Sequence, residues 1–367
     1  MIKIVIEFLI DRWDKYFPNI DKPQKISFLQ LCGDSDYRIT EKIEFFLFLN
    51  SNKFPSLVVN FTRHPEYTEL LQNEYLSLKK LYSINSDFFK DLIPKPILYE
   101  KVGVTDILIT GYLAGRTMEQ MVIKNRLSRK LAEIFFKKMG EWCINLNIHT
   151  RSDKIDIYEY AEHLLKEYIL YYPSNKINLI RLLDSIKGAF VPSTFVHGNP
   201  AAGNILVDKT GLKIVDWAIA KEKGLPLSDL LIFLTWYGAN YFRTGDFFKD
   251  YKMTFFDSNP FSHKAKDMVH YYCERVKIDK KLIIPIFCIT WMEYAIRKFR
   301  FMAINSGCEV SLFNHNVGQG FSLADEDVKT IWDNFPEPNR DLPLLHIINN
   351  KPVNIQILFD EEKNFIL

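Results

Sequence analysis

The hydrophobic pattern changes period near residue 111, and that change constrains the fold more than any other feature of the sequence. Before it, short runs rich in β-branched and aromatic residues dominate: Ile26-Ser-Phe-Leu-Gln-Leu-Cys32, Ile43-Glu-Phe-Phe-Leu-Phe-Leu49 and Ser56-Leu-Val-Val-Asn-Phe-Thr62. Such runs read as strands, and Asn50-Ser-Asn-Lys-Phe-Pro55 joins the last two with hairpin turn chemistry. From Tyr67 to Tyr82, Leu70, Leu71, Tyr75, Leu78 and Leu81 recur at helical spacing. Pro94 and Pro96 stop that pattern, and Ile97-Leu-Tyr-Glu100 and Thr105-Asp-Ile-Leu-Ile-Thr110 add two strands. After Gly111-Tyr-Leu-Ala-Gly115 helices take over. Ser128 is placed to cap a segment in which Leu131, Ile134, Phe135, Met139, Trp142 and Leu146 share a face; Ile157 to Tyr171 and Asn178 to Ile186 read the same way. Three short strand-like runs, at 194–197, 204–207 and 212–215, interrupt the helices, with Lys209-Thr-Gly211 as a turn. Ser228 to about Trp332 is helical again, with breaks near Asn259-Pro260 and Asn305-Ser-Gly307. Strands followed by helices predict an α+β protein of two lobes, β-rich over 1–111 and helical over 112–367.

Length and charge narrow the function classes. A chain of 367 residues can build two cores. The apolar share of 47% and charged share of 25% are those of a globular protein. A net charge of +2 with no long basic run gives a nucleic-acid partner no support. The five cysteines (Cys32, Cys143, Cys273, Cys288, Cys308) are far apart and include no C-x-x-C pair, which argues against a zinc site or a disulfide framework and predicts a reducing, cytoplasmic location. Charges inside the apolar stretch of residues 1–11 argue against a signal peptide. Leu282 to Ile296, broken by Pro285 and Glu293, is too short for a membrane span. The tail from Pro352 to Leu367 holds one candidate strand.

The chemistry concentrates in His197-Gly-Asn-Pro-Ala-Ala-Gly-Asn204-Ile-Leu-Val and Lys213-Ile-Val-Asp216-Trp217. Asn204 directly precedes one apolar run and Asp216 directly follows the next, so a hairpin of the two runs would bring both side chains to one end. A carboxamide oxygen and a carboxylate are the hard ligands that Mg²⁺ prefers. Asn199, five residues before Asn204, falls on the loop just outside. Alone, Asn204 or Asp216 is ordinary turn chemistry; the metal reading rests on their joint spacing.

These residues resemble the His-Gly-Asp-x-x-x-x-Asn … Asp-Trp pattern of the aminoglycoside phosphotransferase and choline kinase-like family. Lys221-Glu-Lys-Gly-Leu-Pro-Leu-Ser-Asp229 is similar to the segment that starts the next helix in that family. The resemblance covers residues 25 to 300 and implies a protein-kinase-like two-lobed fold, ATP and Mg²⁺ as cofactors, and a small-molecule acceptor. It implies that Asn204 and Asp216 hold the metal, that His197 is a structural histidine bridging backbone carbonyls, and that Asp229 braces the catalytic loop, although Asp229 could equally cap its helix. It implies that Ile107 to Gly115, with Thr110 and Tyr112, is the adenine-binding hinge, and that Cys32-Gly-Asp-Ser-Asp36 covers the nucleotide.

Two positions depart from the pattern. Asn199 stands where the family has Asp. An amide can orient a hydroxyl but cannot take its proton, and losing a general base costs about 10²–10⁴ in rate, less if the transition state is loose. Asn60, in Leu57-Val-Val-Asn60-Phe-Thr-Arg63, stands where the family has a phosphate-binding lysine, which leaves its helical partner Glu74 without an ion-pair partner. Arg63 lies three positions along and points the other way; Lys53, in the hairpin, is the remaining substitute.

Three functions are compatible with this. The first is an ATP/Mg-dependent phosphotransferase acting on a hydroxyl of a sugar or amino-alcohol, impaired to the extent that Asn199 and Asn60 are uncompensated. The second is a nucleotide-binding pseudokinase that regulates or scaffolds a protein partner. The third is a kinase-fold enzyme that transfers a different nucleotide moiety. Tyr171-Tyr172 and Tyr271-Tyr272 are candidate acceptor-pocket residues, while Asp208 reads as a solvated turn residue.

Overall fold

The computed structural model describes residues 1–31, 42–62, 67–123, 129–171, 183–209 and 211–305. The expectations on 32–36, Arg63, Ser128, Tyr172, most of 178–186, and everything beyond 305 lie outside these residues. Contacts divide the chain into two units, 1–118 with 203–221, and 119–202 with 222–367.

In the first unit, alternating side chains build the sheet. Five antiparallel strands, β1 (Ile26–Leu31), β2 (Lys42–Leu49), β3 (Leu57–Thr62), β4 (Pro96–Val102) and β5 (Thr105–Gly111), lie in the order β1-β2-β3-β5-β4. The register opposes Phe45 to Val59, Leu47 to Leu57 and Ile43 to Phe61. Directly opposed residues share a face, and this face is the buried one, forming a core with Val5, Leu9 and Trp13. Lys42, Glu44, Asn60 and Thr62 therefore share the opposite face, since Glu44 opposes Asn60 and Lys42 opposes Thr62.

The residues that cover the apolar face come from an element the sequence did not announce. Ile2–Asp11 is a helix (α1) that buries Ile2, Val5 and Leu9 at i, i+3 and i+7. A short turn of helix, α2 (Trp13–Tyr16), follows. Arg12 and Lys15 reach Glu100 of β4 at 3.1 and 3.0 Å, exposed pairs that contribute at most about 1 kcal/mol each. Helix α3 (Thr68–Ile84) buries Leu70, Leu71, Leu78 and Leu81 as its spacing predicts, but also Glu74. A one-turn helix, α4 (Ser86–Phe89), leads to β4.

The unit is completed by a second small sheet, β11-β10-β6, of β6 (Arg116–Thr117), β10 (Ile205–Val207) and β11 (Leu212–Ile214). The sequence boundary at 111/112 differs from the contact division because β6 pairs with β10, Thr117 opposite Leu206 and Arg116 opposite Val207, which keeps 112–118 and 203–221 in the first unit. Gly115 makes this approach possible: a Cβ there would lie 2.9 Å from Leu206 Cβ and 3.2 Å from the Val207 nitrogen.

The second unit is mainly helical. Its helices are α6 (Arg129–Thr150), α7 (Ile157–Tyr171), α8 (Ser228–Phe242), α9 (Phe247–Phe255), α10 (Pro260–Val276) and α11 (Ile283–Asn305), after the short α5 (Met118–Ile123), with the short strands β7 (Lys154–Asp156), β8 (Phe190–Pro192) and β9 (Thr194–Val196) among them. In α6, Phe135, Phe136, Met139, Trp142 and Leu146 are buried, but Ile134 is 42% exposed, so the core-facing stripe is centred one position later than the sequence spacing suggested. Asn259 and Pro260 mark a helix start: the Asn259 side chain accepts from the Phe261 and Ser262 N–H groups with Pro260 at the first helical position. Deep in this unit, Arg300 of α11 grips Glu167 of α7 through two 2.7 Å hydrogen bonds, and the Tyr171 and Phe299 rings stack at 4.0 Å beside them. Among the described residues no helix is long and apolar enough to cross a membrane.

Candidate functional site

The hairpin predicted from the apolar runs forms. Ile205 opposes Ile214 and Val207 opposes Leu212, with Asp208 closing the turn by accepting from the Gly211 N–H at 3.1 Å and pairing with Lys213. One further rung, Val215 N–H to Asn204 carbonyl at 3.0 Å, puts Asn204 and Asp216 at the same end of the ladder. Asp216 takes a left-handed conformation with φ of 66°, an uncommon state for a residue with a Cβ and one that concentrates at functional sites. Trp217 behind it is fully buried, its indole N–H donating to the Ile214 carbonyl at 3.1 Å.

Helix α3 is fastened to this hairpin by two adjacent side chains. The Asn73 amide donates to the carbonyls of Ala218 and Ala220 at 2.8 and 3.0 Å. Glu74, 3% exposed, accepts from the Trp217 backbone N–H. Burial raises its carboxyl pKa, a shift opposed by its main partner, Lys42.

Lys42 is the residue that sequence reasoning missed. Its ammonium lies 2.8 Å from Glu74 Oε2 and also bonds Asp216 Oδ1, so Glu74 is not the unpaired carboxylate expected from Asn60. Burial would lower the lysine's pKa, but the carboxylates of Asp216, Glu74 and Glu44 outweigh it and hold the ammonium firmly protonated. Glu44 is raised by its own burial, with Lys42 opposing. Asn60 sits on the same face, 4% exposed, and its side-chain oxygen has no hydrogen-bond partner. Lys53 does not serve: it lies in the 50–56 turn, and the Lys42 end of the hairpin is at least five residues, about 17 Å, away.

In the expected hinge, Thr110 is buried in β5 opposite Val58 and Pro96. The Tyr112 N–H bonds the Ser56 carbonyl at 3.1 Å, and its ring meets Phe46 edge-on at 5.5 Å. These contacts fix the strand exit. The Ala114 carbonyl accepts from Lys213 at 2.8 Å.

The loop bearing His197 and Asn199 belongs to the second unit and is clamped from two helices. Asp229, in the first turn of α8, does not cap that helix; its carboxylate accepts from the His197 and Gly198 N–H groups at 2.7 and 2.9 Å. Burial raises its pKa to about 6 against the pull of those two bonds. Arg297 of α11 donates to the Gly198 carbonyl at 2.8 Å. His197 is fully buried, and its Nδ1 accepts the Asn199 N–H at 3.2 Å. This bond fixes a local turn. Arg297 left no signal in the sequence, being about a hundred residues from the loop it holds.

Asn204 and Asp216 supply two hard oxygen donors at one ladder end, a set that fits a magnesium ion. Among the described residues no cluster of three or more His, Cys, Asp or Glu side chains could hold a metal.

No family model and no curated protein matches this sequence. Solved structures do. A thermostable variant of the aminoglycoside phosphotransferase APH(4)-Ia, in ternary complex with ADP and hygromycin B, aligns with 93% of this chain and 97% of its own at 10% identity and a TM-score of 0.51. Another variant of that enzyme, with AMP-PNP and hygromycin B, covers 92% and 98% at 11% identity and a TM-score of 0.50. A choline kinase from Streptococcus pneumoniae covers 91% and 98% at 11% identity and a TM-score of 0.47. The chain thus has the mixed α+β, kinase-like fold expected from its sequence.

Proposed function

We propose that this protein is an ATP- and Mg²⁺-dependent phosphotransferase acting on a hydroxyl of a small polar molecule, a sugar or an amino-alcohol. The observation that carries the reading is the pair Asn204 and Asp216 at one end of the β10–β11 ladder, fastened to α3 through Glu74 and Asn73, in a chain similar in fold to phosphotransferases that bind ADP or AMP-PNP. The region 1–111 would handle nucleotide, with the Thr110–Tyr112 segment facing adenine, and the helical region would select the acceptor.

In this reaction the acceptor oxygen attacks the γ-phosphorus, the bond from that phosphorus to the bridging oxygen breaks, and ADP leaves. Magnesium held by Asn204 and Asp216 would neutralise charge on the phosphate oxygens. Asn199 orients the hydroxyl by hydrogen bonding. It has no basic site, so the hydroxyl proton passes to water. The Asp229 and Arg297 clamp keeps the loop in place while this happens. Cys143, Cys273 and Cys288 are buried free thiols, which suits a reducing cytoplasm.

The experiment is a thermal-shift titration. Mg-ATP should raise the melting temperature, and Asp216→Ala should abolish the rise; a wild type that shows no shift rejects the proposal. Asn199 favours a second reading, a nucleotide-binding regulatory or scaffolding protein. The two separate on Asn199→Asp, which in an enzyme raises turnover by about 10²–10⁴, and which leaves a scaffold silent with every sugar and amino-alcohol tried.

A further inference from the structure

The polar face of the five-stranded sheet carries one cation among three carboxylates. Lys42 faces Glu44, Glu74 and Asp216, and the buried Asn60 oxygen beside them has no partner. A lysine in a strand, paired with a glutamate of the following helix and reaching the nucleotide's phosphates, is the arrangement that phosphoryl transfer requires on this fold. In this chain β3 offers only the neutral Asn60 for that task.

The register explains how another strand can supply the charge. Glu44 lies directly opposite Asn60 and Lys42 directly opposite Thr62, so Lys42 and Asn60 are diagonal neighbours on one face, roughly 7–8 Å apart at the backbone. Adjacent strands are only about 4.8 Å apart, a gap that the four-carbon stem of lysine spans. Its ammonium has three protons; two are directed to Glu74 and Asp216, and the third is left for an oxygen arriving from outside. A second ammonium at position 60 would compete for the same carboxylates, whereas an amide leaves Glu74 to Lys42. The side chain is 14% exposed, so a ligand can meet it, while Glu74 behind it is buried at 4%.

We propose that Lys42 is the phosphate-contacting cation of this protein, the function of a β3 lysine having moved to the neighbouring strand β2, with Glu74 as its anchor. The assignment rests on the nucleotide reading above. It accounts for the neutral residue at position 60 without loss of the cation.

The test is calorimetric titration of Mg-ATP, and separately of adenosine, into wild type, Lys42→Met, and the double variant Lys42→Met/Asn60→Lys, with circular dichroism and melting curves to establish folding. Lys42→Met should bind Mg-ATP about 10- to 100-fold more weakly, the range for one hydrogen bond to a charged group, with adenosine affinity unchanged. The double variant, in which the ammonium returns to β3 beside the same glutamate, should recover most of the loss. A wild type that binds no nucleotide would sink the phosphotransferase reading and this assignment with it. A wild type that binds, together with a folded Lys42→Met that binds equally well or loses adenosine in parallel, would overturn the assignment alone. Should Lys42→Met not fold, the double variant decides, since tight binding by it supports the move and weak binding refutes it.

Discussion

Replacing Asp229 by asparagine should exchange a pH-sensitive anchor of the 197–199 loop for a pH-insensitive one. The carboxylate is 6% exposed and receives the His197 and Gly198 N–H groups at 2.7 and 2.9 Å. Burial nonetheless holds its pKa at about 6, above the ordinary 3.8. The folded protein therefore binds this proton more tightly than the unfolded chain does. The group's contribution to stability is fully present below pH 3.8 and is lost as pH rises through about 6. The interval, from 3.8 to about 6, corresponds to about 3 kcal/mol. Asparagine does not titrate. It also turns an amide N–H₂ toward one of the two backbone donors, a penalty of about 1–3 kcal/mol that is the same at every pH. Urea unfolding of both proteins, followed by tryptophan fluorescence from pH 4 to pH 8, cancels every other titrating group in the difference. Relative to wild type, Asp229→Asn should gain about 2 kcal/mol between the two ends of that range. If the proposed phosphotransferase activity holds, turnover should fall on acidification in the same window with an apparent pKa near 6, because a protonated carboxyl no longer holds both N–H groups. A stability difference that stays constant with pH would show that Asp229 does not titrate there and that the desolvation argument is wrong.

Two further outcomes test the packing of the helical unit. Arg300→Met should cost about 3–5 kcal/mol in urea denaturation, because it strands the Glu167 carboxylate, 2% exposed, without its cation; Glu167→Met in the same chain should recover most of that loss. Gly238→Ala should cost about 1–3 kcal/mol in the same assay, since its new Cβ would lie 1.9 Å from Thr254 Oγ1 and 3.0 Å from Thr254 Cβ on helix α9, and Thr254→Ala should restore part of it.

The sequence was most legible where structure is local. The β2–β3 hairpin, α3, and the β10–β11 hairpin with Asn204 and Asp216 at its end all follow from short apolar runs, turn residues and spacing. What escaped is set by long-range register. Asn60 could be seen to lack a charge, but nothing along the chain says that Lys42 stands two rungs away on the neighbouring strand, because the turn between them fixes that pairing only in three dimensions. The same holds for Arg297, which reaches Gly198 across about a hundred residues. Helix α1 escaped for a different reason: its β-branched Ile2, Ile4, Val5 and Ile6 are weak helix formers, and burial of Val5 and Leu9 in the core decides its state.

Asn73 and Glu74 sit side by side on α3, one gripping the Ala218 and Ala220 carbonyls, the other holding Lys42 and the Trp217 N–H. Swinging that helix outward would break all four bonds together, on the order of 6 kcal/mol by ordinary hydrogen-bond values, and the swung-out form would be vanishingly rare. The helix and the hairpin it grips therefore travel as one body.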